Sequence, residues 1–167
     1  MTIREMITHD WDTVMRIYKQ GIDSGLATFS THYPSWEEWD SGHRKECRYV
    51  AISNNEVIGF IALSSVSQKP HYSGISEVMV YVDESARHMG VGTALLQRVM
   101  EESPKHGCWM LYSSIMSSNA ASIRLHDKCG FRTVGYRECI ARDKNGEWQD
   151  TTIMEYRFPD EDVVFCE

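Results

Sequence analysis

The sequence predicts a single α/β domain built on a seven-stranded mixed sheet with helices on both faces. Strand and helix patterns follow one another in the order β-α-α-β-β-β-α-β-α-β-β, which is typical of a sheet covered by helices. The 167 residues suffice for one domain with a sizeable core. No repeat, low-complexity tract or Pro/Gly-rich linker divides the chain, so the domain is expected to span residues 1–167.

The first elements follow from alternation and from helical spacing. The opening segment TIREM alternates and predicts a strand. Thr8 is the expected cap of a first helix, whose pattern Gly21 and Gly25 interrupt. Ser35 is the expected cap of a second helix, SWEEWDSGHRKE. The apolar residues that recur at helical spacing in the first helix are Trp11, Val14, Met15, Tyr18 and Ile22.

The later elements are bounded by turn residues. RYVAIS and VIGFIALSSV flank Asn54 and Asn55 and predict a β-hairpin. EVMVYV predicts another strand, and residues 90–102 carry apolar side chains at a spacing that suits a helix packed on a sheet. CWMLYSSI predicts a buried strand, residues 119–129 predict a helix stopped by Gly130, and two strands are expected around the turn DKNG.

Composition and charge exclude several classes of function. The net charge of −7 argues against a non-specific nucleic-acid partner, which requires a basic face. The five cysteines are odd in number and none are at metal-ligand spacing, so reduced thiols and no bound metal are expected. No apolar run is long enough to cross a membrane, and MTIREMITHD has no apolar signal segment. A cytoplasmic protein without a membrane partner is therefore expected.

A glycine-containing loop opens the helix that follows the strand EVMVYV. Glycines let a backbone approach a ligand closely, and the free amides at a helix start favour an anion such as a pyrophosphate. A dinucleotide fingerprint would need a third glycine, but Leu95 stands there, and the Lys-Ser/Thr pair of a nucleoside-triphosphate loop is missing. A tight turn without a ligand is the alternative interpretation. The predicted anion-binding residues are Arg87, His88, Met89, Gly90, Val91, Gly92 and Thr93.

A second polar segment lies on the predicted helix NAASIRLHDKC. Asn119, Ser122 and His126 are spaced i, i+3 and i+7, so they share one face that can point into a groove beside the glycine loop. In the alternative interpretation, Asn119 only caps the helix and His126 lies on a solvated face.

Together the two segments resemble the GNAT acetyltransferase superfamily. Arg87-x-x-Gly90-x-Gly92 is similar to its coenzyme A pyrophosphate loop. The run Asn119-x-x-Ser122-x-x-x-His126-x-x-x-Gly130-Phe131 is similar to its second cofactor motif. Features similar to the phosphinothricin N-acetyltransferase branch are Phe29, Trp36, Trp39, Tyr72, Glu77, the Leu125-His126 pair and the closing GEWQD.

This resemblance covers nearly the whole chain and implies the acyl-CoA N-acyltransferase fold, with a mostly antiparallel sheet. It also implies that acetyl-CoA is the cosubstrate and that the acceptor is the amine of a small amino-acid-like molecule. Phosphinothricin, methionine sulfoximine and methionine sulfone are acceptors of this type. Val66 and Lys69 depart from the branch, which commonly has an aromatic residue and an arginine at these positions before the catalytic strand.

The resemblance also implies roles on the catalytic side. Glu77 is the candidate general base, because an amine must lose its proton before it attacks a thioester; a solvated strand-end glutamate is the alternative. Backbone groups of Val80, Tyr81 and Val82 are expected to pair with the pantetheine arm. His126 is expected to protonate the departing thiolate or to orient the cofactor. The residues expected to hold the remainder of the cofactor are Arg87, Arg124, Asn119 and Ser122.

On the acceptor side, Phe29, Lys69 and Tyr72 are expected to contact the substrate. Trp36, Trp39 and Trp148 are expected in the core or at a contact between two copies, and the resemblance favours a homodimer. Two other functions stay open: a protein or peptide N-acetyltransferase, and a non-catalytic acyl-CoA sensor. Glu77 favours an enzyme over the sensor.

Overall fold

The computed structural model describes residues 1–165, so Cys166 lies outside the described residues. Its centre is a seven-stranded sheet in the order β1-β2-β3-β4-β5-β7-β6. The elements are β1 Thr2–Glu5, α1 Trp11–Ser24, α2 Trp36–Gly42, β2 Tyr49–Ser53, β3 Glu56–Ser65, β4 Ile75–Val82, α3 Val91–Glu102, β5 Met110–Met116, α4 Ala120–Lys128, β6 Arg132–Arg142 and β7 Trp148–Arg157. The predicted element order is confirmed.

Neighbouring strands are antiparallel except β4 and β5, which run parallel. The sheet separates two apolar cores. On one face, α1 and α2 bury side chains such as Ile17 and Trp39 against Phe60 of β3. On the other face, α3 and α4 pack on the sheet, and Leu95 and Leu96 are completely buried. The prediction of a mixed, mostly antiparallel sheet with helices on both faces is therefore confirmed.

The start of α1 differs from the prediction. Thr8 does not cap it, because residues 8–10 form a 3-10 turn and α1 begins only at Trp11. The Asp10 carboxylate instead accepts a hydrogen bond from the Ile7 amide at 2.9 Å. The helix continues through Gly21 and ends at Ser24. Gly25 caps it, and its φ of 68° lies in the left-handed region that favours glycine.

The cap of α2 is confirmed, but the helix is shorter than expected. Ser35 Oγ accepts from the Glu38 amide at 3.2 Å, and the Glu38 carboxylate accepts from the Ser35 amide at 2.7 Å. The helix ends at Gly42, because the segment that follows it hydrogen-bonds to strand β3. There the Arg44 amide donates to the Leu63 carbonyl at 2.7 Å.

The tryptophans do not share one environment. Trp39 is 2% exposed and belongs to the core, and Trp36 packs against Trp11 with ring centroids 5.4 Å apart. Trp148 on β7 is 54% exposed, with the Arg142 guanidinium above its ring. The core expectation therefore holds for Trp39.

The parallel pair β4–β5 is open along most of its length. Only residues 75–77 of β4 pair with residues 110–112 of β5. Beyond them β4 stays paired with β3 as far as Val82, and β5 stays paired with β7 as far as Met116. The two strands therefore diverge, and a wedge opens in the middle of the sheet.

Candidate active site

The wedge between β4 and β5 is the floor of a groove of about 900 Å³. Residues 77–82 of β4 and 113–116 of β5 form its two banks. The start of α3 and the inner side of α4 close it on one face of the sheet, and residues 24–28 close it on the other. Both segments that the sequence singles out as chemically important therefore meet in one place.

The glycine loop forms one end of this groove. Gly90, with φ of 79°, precedes α3, whose first backbone bond runs from the Ala94 amide to the Gly90 carbonyl at 3.0 Å. The amides of residues 91–93 therefore precede the first helical bond, and these residues line the groove. The predicted loop lines it except for Met89, which is 65% exposed.

Three basic residues belong to the lining of the same groove. Arg87, Arg124 and Lys128 all line the groove, and Lys128 was not among the predicted residues. The Arg87 guanidinium also contacts the carboxylate of Glu84 at 3.3 Å, in an exposed pair. A helix start with free amides and three nearby cations suits a phosphorylated ligand.

Close approach to the backbone distinguishes the two glycines. A Cβ on Gly90 would meet no atom within 4 Å, so its left-handed backbone is what favours glycine. A Cβ on Gly92 would lie 3.1 Å from Cδ2 of Leu125 on α4, at the point where α3 and α4 meet. Gly92 therefore allows α3 and α4 to pack closely at this end of the groove.

The β4 bank offers backbone groups to a ligand. Residues 78–82 pair with β3 on one side but not with β5 on the other. In an antiparallel pair, alternate residues direct their amide and carbonyl away from the partner strand, here into the wedge. Val80, Tyr81 and Val82, which the resemblance assigns to the pantetheine arm, all line the groove.

Glu77 lies at the apex of the wedge, at the last position where β4 still pairs with β5. Its side chain is half-buried and lines the groove. No hydrogen bond or ion pair joins its carboxylate to another of the residues 1–165. Burial raises the pKa of this carboxyl above its ordinary value. Such a carboxylate is suited to accepting a proton at neutral pH.

His126 is buried, and not on a solvated face. It is 2% exposed, and desolvation lowers the pKa of its imidazole, which favours the neutral form. Nδ1 lies 2.8 Å from the Ser122 carbonyl and must donate to it, because a carbonyl oxygen only accepts. Nε2 is then the acceptor for the Ser113 hydroxyl at 2.9 Å. Neutral His126 therefore has no proton left to direct into the groove.

Asn119 caps α4, as the alternative interpretation has it. Its Oδ1 accepts from the Ser122 amide at 3.1 Å, and its Nδ2 donates to the Leu26 carbonyl at 3.1 Å. Asn119 and Ser122 both line the groove. Both polar ends of the Asn119 side chain are thus engaged within the chain.

The predicted acceptor residues lie outside the groove wall. Phe29 follows directly after the lining residues 26–28. Lys69 and Tyr72 are exposed in the β3–β4 connection. Residues on the Glu77 side that the sequence did not single out are Gly21, Ser24, Leu26, Ala27, Thr28, Ser64 and Met79.

Ser113 was also missed, although the sequence carries a signal for it. It occupies an inward position of a buried strand, between Leu111 and Ile115, where an apolar residue is the rule. A serine at such a position requires a polar partner, and His126 provides it.

Two further findings concern what the described part of the chain contains. Among residues 1–165, no three His, Cys, Asp or Glu side chains are grouped so that they could share a metal ion. None of the helices in this range combines the length and the apolar character needed to span a bilayer.

Known proteins are similar to this chain in sequence and in fold. The family model described as Acetyltransferase (GNAT) family matches residues 11–131. A Bacillus subtilis protein, provisionally named phosphinothricin acetyltransferase YwnH, is 33% identical over 92% of this chain and 97% of its own length. The L-methionine sulfoximine/L-methionine sulfone acetyltransferase of Pseudomonas aeruginosa is 26% identical over 92% of each chain.

A solved structure agrees with these sequence matches. The phosphinothricin acetyltransferase from Sinorhizobium meliloti in complex with AcCoA superposes with a TM-score of 0.85 at 26% identity, covering 94% of this chain and 88% of that one. The family match extends from α1 to the end of the second polar segment, and so includes both banks of the groove. This chain therefore belongs to the GNAT acetyltransferase family.

Proposed function

We propose that this chain transfers the acetyl group of acetyl-CoA to the primary amine of a small amino-acid-like acceptor. The observation that carries the proposal is the half-buried Glu77 carboxylate, without an ion-pair partner among residues 1–165, at the apex of a wedge in the sheet. Relatives named for phosphinothricin and for methionine sulfoximine or sulfone support this acceptor class.

The groove suits acetyl-CoA at each of its parts. The amides of residues 91–93, together with Arg87 and Arg124, would hold the pyrophosphate. The free edge of β4 at residues 78–82 would pair with the pantetheine arm as an added strand. Acetyl-CoA supplies the acetyl group as a thioester.

Glu77 would then accept the proton of the acceptor amine, directly or through a water. A β4 amide directed into the wedge would donate to the acetyl carbonyl as negative charge develops on its oxygen. His126 would act by holding the Ser113 hydroxyl on the wall of the groove. In this assignment the neutral imidazole orients a neighbour and does not itself supply a proton. As the C–N bond to the amine forms, the C–S bond of the thioester would break, and coenzyme A would leave as a thiolate that takes its proton from Glu77 or from solvent.

We also propose that Phe29, Lys69 and Tyr72 contact the acceptor. None of the three lines the groove, so participation requires movement of the α1–α2 connection for Phe29 and of the β3–β4 connection for Lys69 and Tyr72, or a contribution from a second copy. We propose a homodimer, supported by large exposed side chains on β6 and β7. These are Val134, Tyr136, Ile140 and Trp148. The free thiols of Cys47, Cys108, Cys129 and Cys139 support a cytoplasmic location.

The experiment is a thiol-release assay with acetyl-CoA and a panel of acceptors. The panel contains phosphinothricin, methionine sulfoximine, methionine sulfone, free amino acids and short peptides. Acetylation of an amino-acid-like amine supports the proposal, and turnover of peptides alone would favour a peptide acetyltransferase. Tight binding of acetyl-CoA by calorimetry, without release of thiol for any acceptor, would favour a sensor.

A further inference from the structure

We infer that Asn119 is a positioning residue for the acceptor, acting through the groove-lining loop of residues 26–28. The inference rests on the proposed function for its kinetic part. Resemblance alone places Asn119 among the cofactor ligands, but the geometry joins it to the opposite wall of the groove.

The orientation of the Asn119 amide follows from its two neighbours. The Ser122 amide is a donor, so the atom 3.1 Å from it must be Oδ1. The Leu26 carbonyl is an acceptor, so the atom 3.1 Å from it must be Nδ2. The flipped amide would place two donors together at one contact and two acceptors together at the other.

The first bond stays within α4, and the second joins α4 to the loop of residues 26–28 across the open wedge. Helix α4 lies on the face of the sheet that carries His126 and Ser113. Residues 26–28 lie on the face that carries Tyr81, whose hydroxyl donates to the Ala27 carbonyl at 3.4 Å. Asn119 therefore ties the loop to the cofactor side, and Tyr81 ties it to the β4 bank.

The loop has a further support behind these two bonds. Lys144, in the β6–β7 turn, donates to the Asp23 carbonyl, and its side chain packs on Gly25. Within the loop, the Leu26 amide donates to Ser24 Oγ at 3.2 Å. Residues 26–28 thus line the groove on the face of the sheet that carries Tyr81, to which Glu77 also belongs by alternation along β4. The position of the loop depends on a few hydrogen bonds and not on burial.

The assignment predicts that a substitution at Asn119 changes the KM for the acceptor more than the affinity for coenzyme A. Asn119→Asp keeps an oxygen for the Ser122 amide, and Asp caps helices as well as Asn. It removes the donor to Leu26 and sets a carboxylate against that carbonyl. Loss of one net hydrogen bond should raise the KM for the acceptor about 3- to 10-fold. The dissociation constant of coenzyme A should rise by a smaller factor than this KM.

Two measurements test the assignment on the full chain. Steady-state kinetics give the two KM values and kcat, and calorimetry gives coenzyme A affinity. Hydrogen exchange followed by mass spectrometry reports the amides of residues 24–30 without any need for turnover. Asn54→Asp, which adds the same charge in the exposed β2–β3 turn, is the matched control.

The expected result is faster exchange of residues 24–30 and a raised acceptor KM in Asn119→Asp, with neither change in Asn54→Asp. Weaker coenzyme A binding with unchanged exchange in the loop would overturn the inference and return Asn119 to the cofactor. If the parent chain turns over none of the acceptors, the proposed function fails, and the exchange of residues 24–30 still decides the structural link.

Discussion

Replacement of Glu77 by glutamine tests the proposed chemistry most directly. Gln has the same shape and keeps its hydrogen-bonding ability but does not accept a proton at neutral pH. Glu77 contacts no ionic partner among residues 1–165, so the change breaks no ion pair there. Loss of an acid–base group costs about 10²- to 10⁴-fold in rate, or about 3 to 5 kcal/mol of barrier.

The stability of the variant should change in the opposite direction from its activity. The carboxyl pKa is raised by desolvation in the folded protein, above the ordinary 4.5 of the unfolded chain. Between these two pKa values the folded state binds more protons, so the stability of the parent falls as the pH rises through this window. Glu77→Gln should therefore be more stable than the parent at pH 7 and equally stable below about pH 4.

The assay measures thiol release at saturating acetyl-CoA across pH, together with thermal unfolding at pH 4 and pH 7. Glu56→Gln, at an exposed site at the start of β3, is the control. The parent should show an ascending limb in its pH–rate profile that the variant lacks. A Glu77→Gln variant within a few-fold of the parent at saturating acceptor would refute the base role and leave the family membership intact.

Two further substitutions test other parts of the groove. In Gly92→Val even the Cβ would lie 3.1 Å from Cδ2 of Leu125, so the start of α3 must shift relative to α4 and displace the amides proposed to hold the pyrophosphate. Coenzyme A affinity measured by calorimetry should therefore fall at least about tenfold, which corresponds to 1.4 kcal/mol. Ser113→Ala leaves buried His126 Nε2 without its hydrogen-bond donor, so the free energy of unfolding in urea should fall by about 1 to 3 kcal/mol.

Each of these has its own contradicting outcome. Parent-like binding of coenzyme A by correctly folded Gly92→Val would show that the ligand does not approach this turn. For the serine, Ser114→Ala on the same strand is the control, because Ser114 is not bonded to His126. Equal unfolding free energies for the two serine variants would show that the Ser113–His126 bond adds nothing to stability.

Local sequence patterns predicted most of the fold. The Ser35–Glu38 capping box, the Asn54-Asn55 turn and the stop at Gly130 each depend on residues adjacent in sequence, and all three are present. The wrong prediction at the start of α1 also has a local cause. Thr8 is a residue type that caps helices, but a 3-10 turn at residues 8–10 precedes α1 and displaces its start.

The site was only partly predictable, because its geometry depends on distant contacts. The glycine loop stands out in the sequence from its place between a strand and a helix, whereas Glu77 is singled out only by the resemblance to the family. The link from Asn119 to Leu26 spans 93 residues, and no periodicity reports it. Similarly, the sequence of β4 predicts one uniform strand, although its pairing with β5 stops at Glu77. Helical spacing placed Asn119 on a groove-facing side but could not show what its amide contacts.

The short β4–β5 pairing also bears on how long the protein survives in a cell. Strands β1–β4 and β5–β7 are two sub-sheets that share only three residue pairs in their common ladder. A ligand that pairs along the wedge would brace both halves, contributing about 2.7 kcal/mol at a concentration 100 times its dissociation constant. Proteases act on the opened population, which such bracing depletes. If acetyl-CoA occupies the wedge as proposed, degradation of this protein should slow when the coenzyme is plentiful and accelerate when it is scarce.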